Sequence, residues 1–186
     1  ALPICGAILG SKKFCNQYIK PFIRNTGPSI SPFNAWVLLK GIETLELRIK
    51  KQTENAKNIV KFLKKNSRIN KVYYPTDSSF KQKKITKKQM LDGGSIISFE
   101  LNSSKKNEKT SAFSFLNKLK LIDISNNLGD SKTLITHPDT TTHHRLSHEE
   151  KISLRITKNL VRLSVGLEDS TDLIGDIDNA LKKAIR

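Results

Sequence analysis

Cysteine is nearly absent from this sequence, with two in 186 residues, Cys5 and Cys15. Ten residues apart and without a second pair, they match neither a zinc-ligand spacing nor a disulfide framework. They read as two reduced thiols of a cytoplasmic protein. Long apolar runs are missing too, and no stretch approaches the roughly 20 apolar residues a membrane span needs. The apolar opening "ALPICGAILG" is short, lacks a basic flank and begins with Ala, so it does not read as a signal peptide; a start at Ala1 fits a fragment or a processed chain. Acids are scarce, 17 against 33 basic residues, for a formal net charge of +16. Arginine is scarce among the cations, seven against 26 lysines. Arginine makes the planar bidentate contacts that read nucleic acid, so a lysine excess is the weaker signal for that partner. The lysines are scattered, which predicts a solvated surface, with Lys81–Lys88 as an exposed basic loop. There is no Gly-rich phosphate loop, no serine nucleophile elbow and no paired-cysteine motif.

What is present is periodicity. "CGAILG" reads as a short buried strand ending at Gly10. A helix follows, with Ser11 as N-cap, Phe14, Tyr18 and Phe22 as its apolar stripe and Gly27 as its stop. Pro21 lies inside that pattern and predicts a kink or break. From Asn34 a long helical pattern carries Trp36, Leu39, Ile42, Leu45 and Ile49, then Ala56, Ile59, Val60 and Leu63. It is one helix of about 30 residues, near 45 Å long, or two in tandem. The polar stretch "KKQTEN" between the two stripes marks a domain boundary, dividing 1–50 from 51–186.

Beyond it, short strands and helices alternate. "INKVYYP", "GGSIISFEL", "LIDIS", "KTLITHP" and "LVRLSVG" read as strands. "SSFKQKKITKKQM" holds a short helix, "EKTSAFSFLNKL" another, and "SHEEKISLRI" opens on a capping box of Ser147 and Glu150. "STDLIGDIDNALKKAI" closes the chain as a helix with Leu173, Ile174, Ile177 and Leu181 on one face, acids first and lysines last, as the helix dipole favours. The pattern predicts a small α/β or α+β sandwich, a sheet with helices on one face.

Three constellations invite chemistry. In "LVRLSVGLED", alternation places Val161, Leu163 and Val165 on one face and Leu160, Arg162 and Ser164 on the other. A strand arginine among apolar neighbours can clamp a substrate carboxylate through a bidentate pair, or form a salt bridge with Glu168, Asp169 or another acid. In "ISNNLGDSKTLITHP", the Asn-Asn-Leu-Gly turn can hold an anion or a carbonyl, or only satisfy its own backbone. In "THPDTTTHHRLSHEE", His137, His143, His144 and His148 suggest metal ligation, but no His-Glu-x-x-His spacing accompanies them, and a polar loop lining a cleft fits as well.

Taken together, "SPFNAWVLLKGIETLELRI", "GGSIISFEL", "NNLGDSKTLITHPDTTTH" and "VRLSVGLED" resemble, in order and over nearly the whole chain, the C-terminal half of the cystathionine gamma-synthase-like enzymes. These are the pyridoxal-phosphate (PLP) enzymes of Cys and Met metabolism. "RNTGPSISPFNAWVLLKGIETL" is most similar to the sulfhydrylases of O-succinylhomoserine. The resemblance implies the C-terminal domain of a fold type I, aspartate aminotransferase-like transferase, a small mixed or antiparallel sheet with helices on one face, preceded by a long interdomain helix. It implies that residues 1–50 end the PLP-binding large domain and begin that helix, and that 51–186 form the small domain. It implies that Arg162 binds the α-carboxylate of an amino-acid substrate, an activated homoserine ester, helped by the Asn127 side chain and the Leu128 N–H, with Thr142 supporting the arginine. The wider family often has Ser at the Asn127 position.

The resemblance also implies what is not here. The family's Schiff-base lysine belongs to a "T-K-[YF]" motif ahead of the strand that is "CGAILG" in this chain, so it would lie before Ala1, and none of the 26 lysines sits in that motif. The chain alone would then be inactive and bind no PLP covalently. In the whole enzyme, usually a tetramer with active sites at dimer interfaces, PLP acts as electron sink while a sulfur nucleophile replaces the γ-acyl group. Two other functions compete: a non-catalytic fragment, and a basic module that binds nucleic acid through the +16 surface.

Overall fold

The computed structural model describes residues 6–104 and 106–185. They fall into two compact units, Ala1–Glu46 and Leu47–Arg186.

The first unit is helical. Helix α1 (Lys12–Phe14) runs through a π turn (Cys15–Ile19) into α2 (Lys20–Thr26), and α3 (Pro32–Glu43) follows. Ser11 caps the start, its hydroxyl accepting from the Phe14 N–H at 3.2 Å. At Pro21, where the sequence predicts a kink or break, the chain does not break: it stays helical, with a π turn just before the proline. Proline has no N–H and its ring crowds the carbonyl four residues back. The π turn directly before it, with the Lys20 N–H on the Cys15 carbonyl, widens the helix where that ring must fit. Gly27 ends α2 in the left-handed region at φ 81°, which a residue without Cβ adopts freely. The expected strand before Gly10 is not formed: Gly6–Gly10 is irregular and exposed. A strand needs a ladder partner, and none of the strands described below pairs with it. Cys5 lies outside the described residues. Phe14, Tyr18, Phe22, Trp36, Leu39 and Ile42 are all exposed.

The long helical pattern resolves as two helices, α3 and α4 (Leu45–Lys65), with Thr44 between them at φ −108°. The polar stretch at 50–55 is not a break. It lies inside α4, where Gln52, Thr53 and Asn55 are buried. Their amides explain why. The Gln52 side chain donates to the Asp130 carbonyl at 2.7 Å, and that of Asn55 to the Gly166 and Glu168 carbonyls at 3.1 and 2.7 Å. Buried amides that find carbonyl partners avoid the desolvation cost of an unmade bond.

The rest of the second unit follows the predicted alternation: β1 (Ile69–Tyr73), α5 (Lys83–Gln89), β2 (Ile96–Leu101), α6 (Glu108–Leu116), β3 (Asp123–Ile124), β4 (Leu134–Thr136), α7 (His148–Ser153), β5 (Leu160–Ser164) and α8 (Ser170–Ala184). The five strands form one mixed sheet in the order β1-β2-β5-β4-β3, antiparallel except for the parallel pair β3 and β4. Period-two alternation sorts the faces. Ile97, Phe99 and Leu101 of β2 and Val161 and Leu163 of β5 are fully buried, and pack with Ala56, Ile59 and Leu63 of α4, Phe115 of α6 and Leu173, Ile177 and Leu181 of α8. Phe99 and Phe115 meet edge to face at 6.0 Å between ring centres. Each such side chain contributes about 1.5–3 kcal/mol by leaving water. The helices thus supply one face of the sheet, and β5, the middle strand, turns Arg162 to the other. The capping box forms as the sequence predicts: the Ser147 hydroxyl accepts from the Glu150 N–H, and the Glu150 carboxylate from the Ser147 N–H at 2.7 Å. No helix among the described residues is long and apolar enough to cross a membrane.

Candidate functional site

Arg162 stands in a row across the second face of the sheet. Strand pairing sets it opposite Ser98 of β2 on one side and Thr136 of β4 on the other. It is half-buried, and burial draws its pKa below the ordinary guanidinium value; a guanidinium so placed still carries its charge at neutral pH. Among the described residues no carboxylate pairs with it. The two acids nearest in sequence are engaged elsewhere. Glu168 accepts from the Thr133 N–H at 2.6 Å and the Thr133 hydroxyl at 2.8 Å, and Asp169 caps α8 by accepting from the Thr171 N–H at 2.7 Å. The salt-bridge alternative therefore finds no partner, and a charge taken partly out of water without an opposite charge is costly.

What Arg162 does touch is the Asn-Asn-Leu-Gly turn. Its Nη2 donates to the Asn126 carbonyl at 3.1 Å. The Gly129 N–H donates to the Ser164 hydroxyl, two residues further along the same strand, at 2.9 Å. Two bonds thus fold the turn over the arginine's strand. Gly129, at φ 74°, takes the left-handed conformation that glycine reaches without penalty. The turn's own apex is open. Asn127 and Leu128 are exposed; the Asn127 N–H reaches the Ser125 hydroxyl at 3.3 Å, while the Asn127 amide and the Leu128 N–H have no partner among the described residues.

Asn126, its side chain unremarked in the sequence, links the turn to a buried network. Its Oδ1 accepts from the Thr136 hydroxyl at 2.9 Å, Thr136 meets Thr141 at 2.9 Å, and the Thr141 hydroxyl donates to the His137 carbonyl at 2.8 Å. Thr142 is not in this chain of bonds; its hydroxyl pairs with His143 Nδ1 at 2.8 Å. The threonine of the run 140–142 that bonds to Thr136 is its neighbour, Thr141.

The histidines do not converge. His137 is buried, its Nε2 facing the Lys158 carbonyl at 2.9 Å and its Nδ1 the Thr140 hydroxyl at 2.8 Å, with the Phe113 ring edge-on at 5.3 Å. His144 faces the Thr141 carbonyl. The described residues contain no group of three or more His, Cys, Asp or Glu placed to share a metal ion. Arg162 with the open turn is the feature suited to chemistry: a planar cation stands beside a turn whose apex donors have no partner among the described residues.

Comparison with known proteins places the whole chain in a family. A family model for Cys/Met metabolism PLP-dependent enzymes matches residues 3–182. The O-succinylhomoserine sulfhydrylase of Mycobacterium tuberculosis is 46% identical over 176 residues, covering 95% of this chain and 43% of the relative. An L-methionine gamma-lyase of Fusobacterium nucleatum is 39% identical over 181 residues, covering 97% and 45%. A solved structure from Campylobacter jejuni, named as an O-acetylhomoserine (thiol)-lyase and holding an N'-pyridoxyl-lysine-5'-monophosphate, superposes with a TM-score of 0.83 at 39% identity, over 94% of this chain and 41% of the other. This chain thus spans less than half the length of the relatives it matches.

The family depends on PLP, so the residues here can be asked whether they fit it. Holding PLP takes an amine for the imine, donors for the phosphate and an acid facing the ring nitrogen. The groups joined to Arg162 are a carbonyl, an amide and two threonine hydroxyls. Among the described residues no amine and no carboxylate enters that network, so it does not supply the imine or ring-nitrogen contacts of the cofactor. With a family match over residues 3–182 and the same fold in its solved relatives, the chain belongs to the PLP-dependent enzymes of Cys and Met metabolism.

Proposed function

We propose that this chain is the C-terminal part of a PLP-dependent enzyme that replaces the γ-acyl group of an activated homoserine ester with a sulfur nucleophile, in the formation of methionine or cysteine. On this reading residues 1–50 end the cofactor-binding domain and start the linking helix, and 51–186 form the small domain; the division into compact units after Glu46 supports it. The whole enzyme is a homo-oligomer, a tetramer as family members usually are. No catalytic residue is assigned within this chain, which alone forms no imine with PLP.

The chain's part is to hold the substrate. The observation that carries this is the half-buried Arg162, unpaired with any acid among the described residues and tied to a turn whose apex donors are free. The guanidinium takes both oxygens of the α-carboxylate in a planar fork, and the Leu128 N–H and the Asn127 amide add to it. A carboxylate held in a plane at two points fixes the direction of the Cα–H bond, which is what proton removal at Cα requires. Charge-assisted hydrogen bonds contribute about 1.5–3 kcal/mol each. The two bonds of one fork do not add in full, so a net loss of about 2–3 kcal/mol on removing it should lower kcat/KM about 30- to 150-fold.

The test is a fusion of this chain to the N-terminal half of the M. tuberculosis sulfhydrylase, assayed for homocysteine formation from O-succinylhomoserine and sulfide, with bound cofactor followed by absorbance. The fusion is expected to be active, and Arg162→Ala to lose activity by the factor above while keeping its PLP. A fusion that holds PLP and works equally well with Arg162→Ala would overturn the proposal.

A further inference from the structure

Asn126 is gripped by two residues that face each other across the sheet. Its carbonyl accepts from Arg162 Nη2 at 3.1 Å, and its side chain meets the Thr136 hydroxyl at 2.9 Å. Thr136 of β4 is the register partner of Arg162 on β5, and such partners stand about 4.5–5.5 Å apart. The two contacts therefore close a ring: guanidinium, Asn126 main chain, Asn126 side chain, Thr136, and back across the strand pair. Neither grip can slip without loading the other. The contact with Thr136 leads inward. Thr136 is 1% exposed, its hydroxyl lies 2.9 Å from that of Thr141, and the Thr141 hydroxyl lies 2.8 Å from the His137 carbonyl. His137 is buried in turn, and its ring is fixed. A carbonyl only accepts, so Nε2 donates to the Lys158 carbonyl at 2.9 Å, and Nδ1 accepts from the Thr140 hydroxyl at 2.8 Å.

The number of hydrogens sets the direction of this chain of contacts. Three contacts of 2.8–2.9 Å link the Asn126 side chain, Thr136, Thr141 and the His137 carbonyl. Each hydroxyl carries one hydrogen, so the two threonines supply two, and the carbonyl supplies none. With Asn126 Oδ1 against Thr136, one of the three contacts is oxygen on oxygen with no hydrogen between, which is repulsive. With Nδ2 against Thr136 the amide supplies the third hydrogen. Every contact is then a bond: Asn126 Nδ2 donates to Thr136, Thr136 to Thr141, and Thr141 to the His137 carbonyl. The oxygen and nitrogen of an amide fill nearly the same outline, so this orientation asks no change in packing.

We propose that Asn126 is the positioning residue of the Arg162 clamp: its side-chain amide donates to Thr136, and the main-chain carbonyl so held fixes the plane of the guanidinium. This rests on the clamp reading of Arg162 and adds what aims the fork. One N–H of the guanidinium is spent on Asn126, which leaves the others for a carboxylate. A guanidinium tethered at one corner has given up its rotation before the substrate arrives, so less freedom is lost on binding. Asn126 touches neither substrate nor cofactor on this reading; it acts through Arg162.

The test uses the fused holoenzyme. kcat/KM for O-succinyl-L-homoserine and for its α-carboxamide is measured with Asn126→Ala, Thr136→Val, both together, and Arg162→Ala. Asn126 is itself exposed, so its truncation leaves the core intact. The readout is the preference for the acid over the amide, a ratio on one enzyme from which any loss of folded protein cancels. That preference is expected to fall about 3- to 10-fold in Asn126→Ala, the worth of one neutral hydrogen bond. It should fall as much in Thr136→Val and no further in the double variant. In the ¹⁵N-labelled full chain, the Asn126 side-chain amide hydrogens should show a nuclear Overhauser effect to Thr136 Hβ. A preference untouched by Asn126→Ala but lost in Arg162→Ala overturns the positioning and leaves the clamp standing. Losses that multiply in the double variant overturn the route through Thr136, and amide hydrogens that point away from Thr136 overturn the donor direction. A preference untouched by Arg162→Ala defeats the clamp, and the positioning with it.

Discussion

Replacing Gly166 by alanine is expected to destabilise the second unit by about 2–5 kcal/mol. A Cβ built there would overlap the Glu168 carboxylate, the Ser131 carbonyl oxygen and the Lys132 carbonyl carbon. Two of those three atoms are backbone. The third is fixed, because Glu168 is held by the Thr133 N–H and hydroxyl. Overpacking that cannot be relieved by a side chain costs about 1–3 kcal/mol. Shifting the backbone instead loosens the bond from the Gly166 N–H to the Thr133 hydroxyl at 2.9 Å and that from Asn55 to the Gly166 carbonyl at 3.1 Å, each contributing about 0.5–1.5 kcal/mol. For a chain of this length the sum corresponds to a fall in Tm of about 4–20 °C. Gly175 is the control. It sits inside α8, and a Cβ there meets nothing within 4 Å. Alanine should gain about 0.5–1 kcal/mol from helix propensity, raising Tm by about 1–4 °C. Far-UV circular dichroism melts of both variants decide the matter. Shifts of the same sign, or Gly166→Ala within a degree of the natural chain, would refute the reasoning.

Two further outcomes follow from single carboxylates. Asp176 on α8 accepts from three successive backbone N–H groups, Lys120 and Leu121 at 2.9 Å and Ile122 at 3.1 Å, so it anchors the turn into β3. Asp176→Asn should lower the urea-unfolding free energy by about 1–3 kcal/mol, and an unchanged midpoint would contradict that anchoring. Burial raises the Asp77 carboxyl, but the Lys64 ammonium and the Ser79 hydroxyl outweigh it and hold the pKa at about 2 against an ordinary 3.8. A pKa lower in the folded state means stability present above pH ~4 and lost as pH falls through about 2. The gap in urea midpoint between the natural chain and Asp77→Asn should therefore narrow over that window; a gap independent of pH would rule the pairing out as a source of stability.

Much of the fold is legible because period decides it. In β2 and β5 the apolar residues of one face, Ile97, Phe99, Leu101, Val161 and Leu163, are the ones found fully buried, while Glu100, Leu160 and Ser164 of the other face are covered by their neighbours as well. The capping box of α7 and the charge order of α8 are local signals that tertiary contacts do not override. Other parts depend on distant partners. Gly6–Gly10 has the composition of a strand but no ladder to join. "KKQTEN" is polar and looks like a break, yet Gln52 and Asn55 are buried because carbonyls at 130, 166 and 168 receive them. β3 is two residues and β4 three, too short for alternation to be measured. For the candidate site, the face and the cation can be read from "LVRLSVG", but not that Arg162 pairs with no acid among the described residues, since Glu168 and Asp169 follow at once and only the structure sends them to Thr133 and Thr171. The left-handed backbone of Arg155, at φ 58°, has no sequence signature, because the residue that usually marks it is glycine.

The measurement that bears most directly on the central claim is a double comparison in the fused holoenzyme: kcat/KM for O-succinyl-L-homoserine and for its α-carboxamide, each with Arg162 and with Arg162→Ala. If Arg162 holds the α-carboxylate, the amide should be about 30- to 150-fold poorer with Arg162 present and no poorer once it is removed, a coupling of about 2–3 kcal/mol between the two changes. Independent losses that multiply, or an arginine that can be removed without altering the preference for the acid over the amide, would contradict the claim.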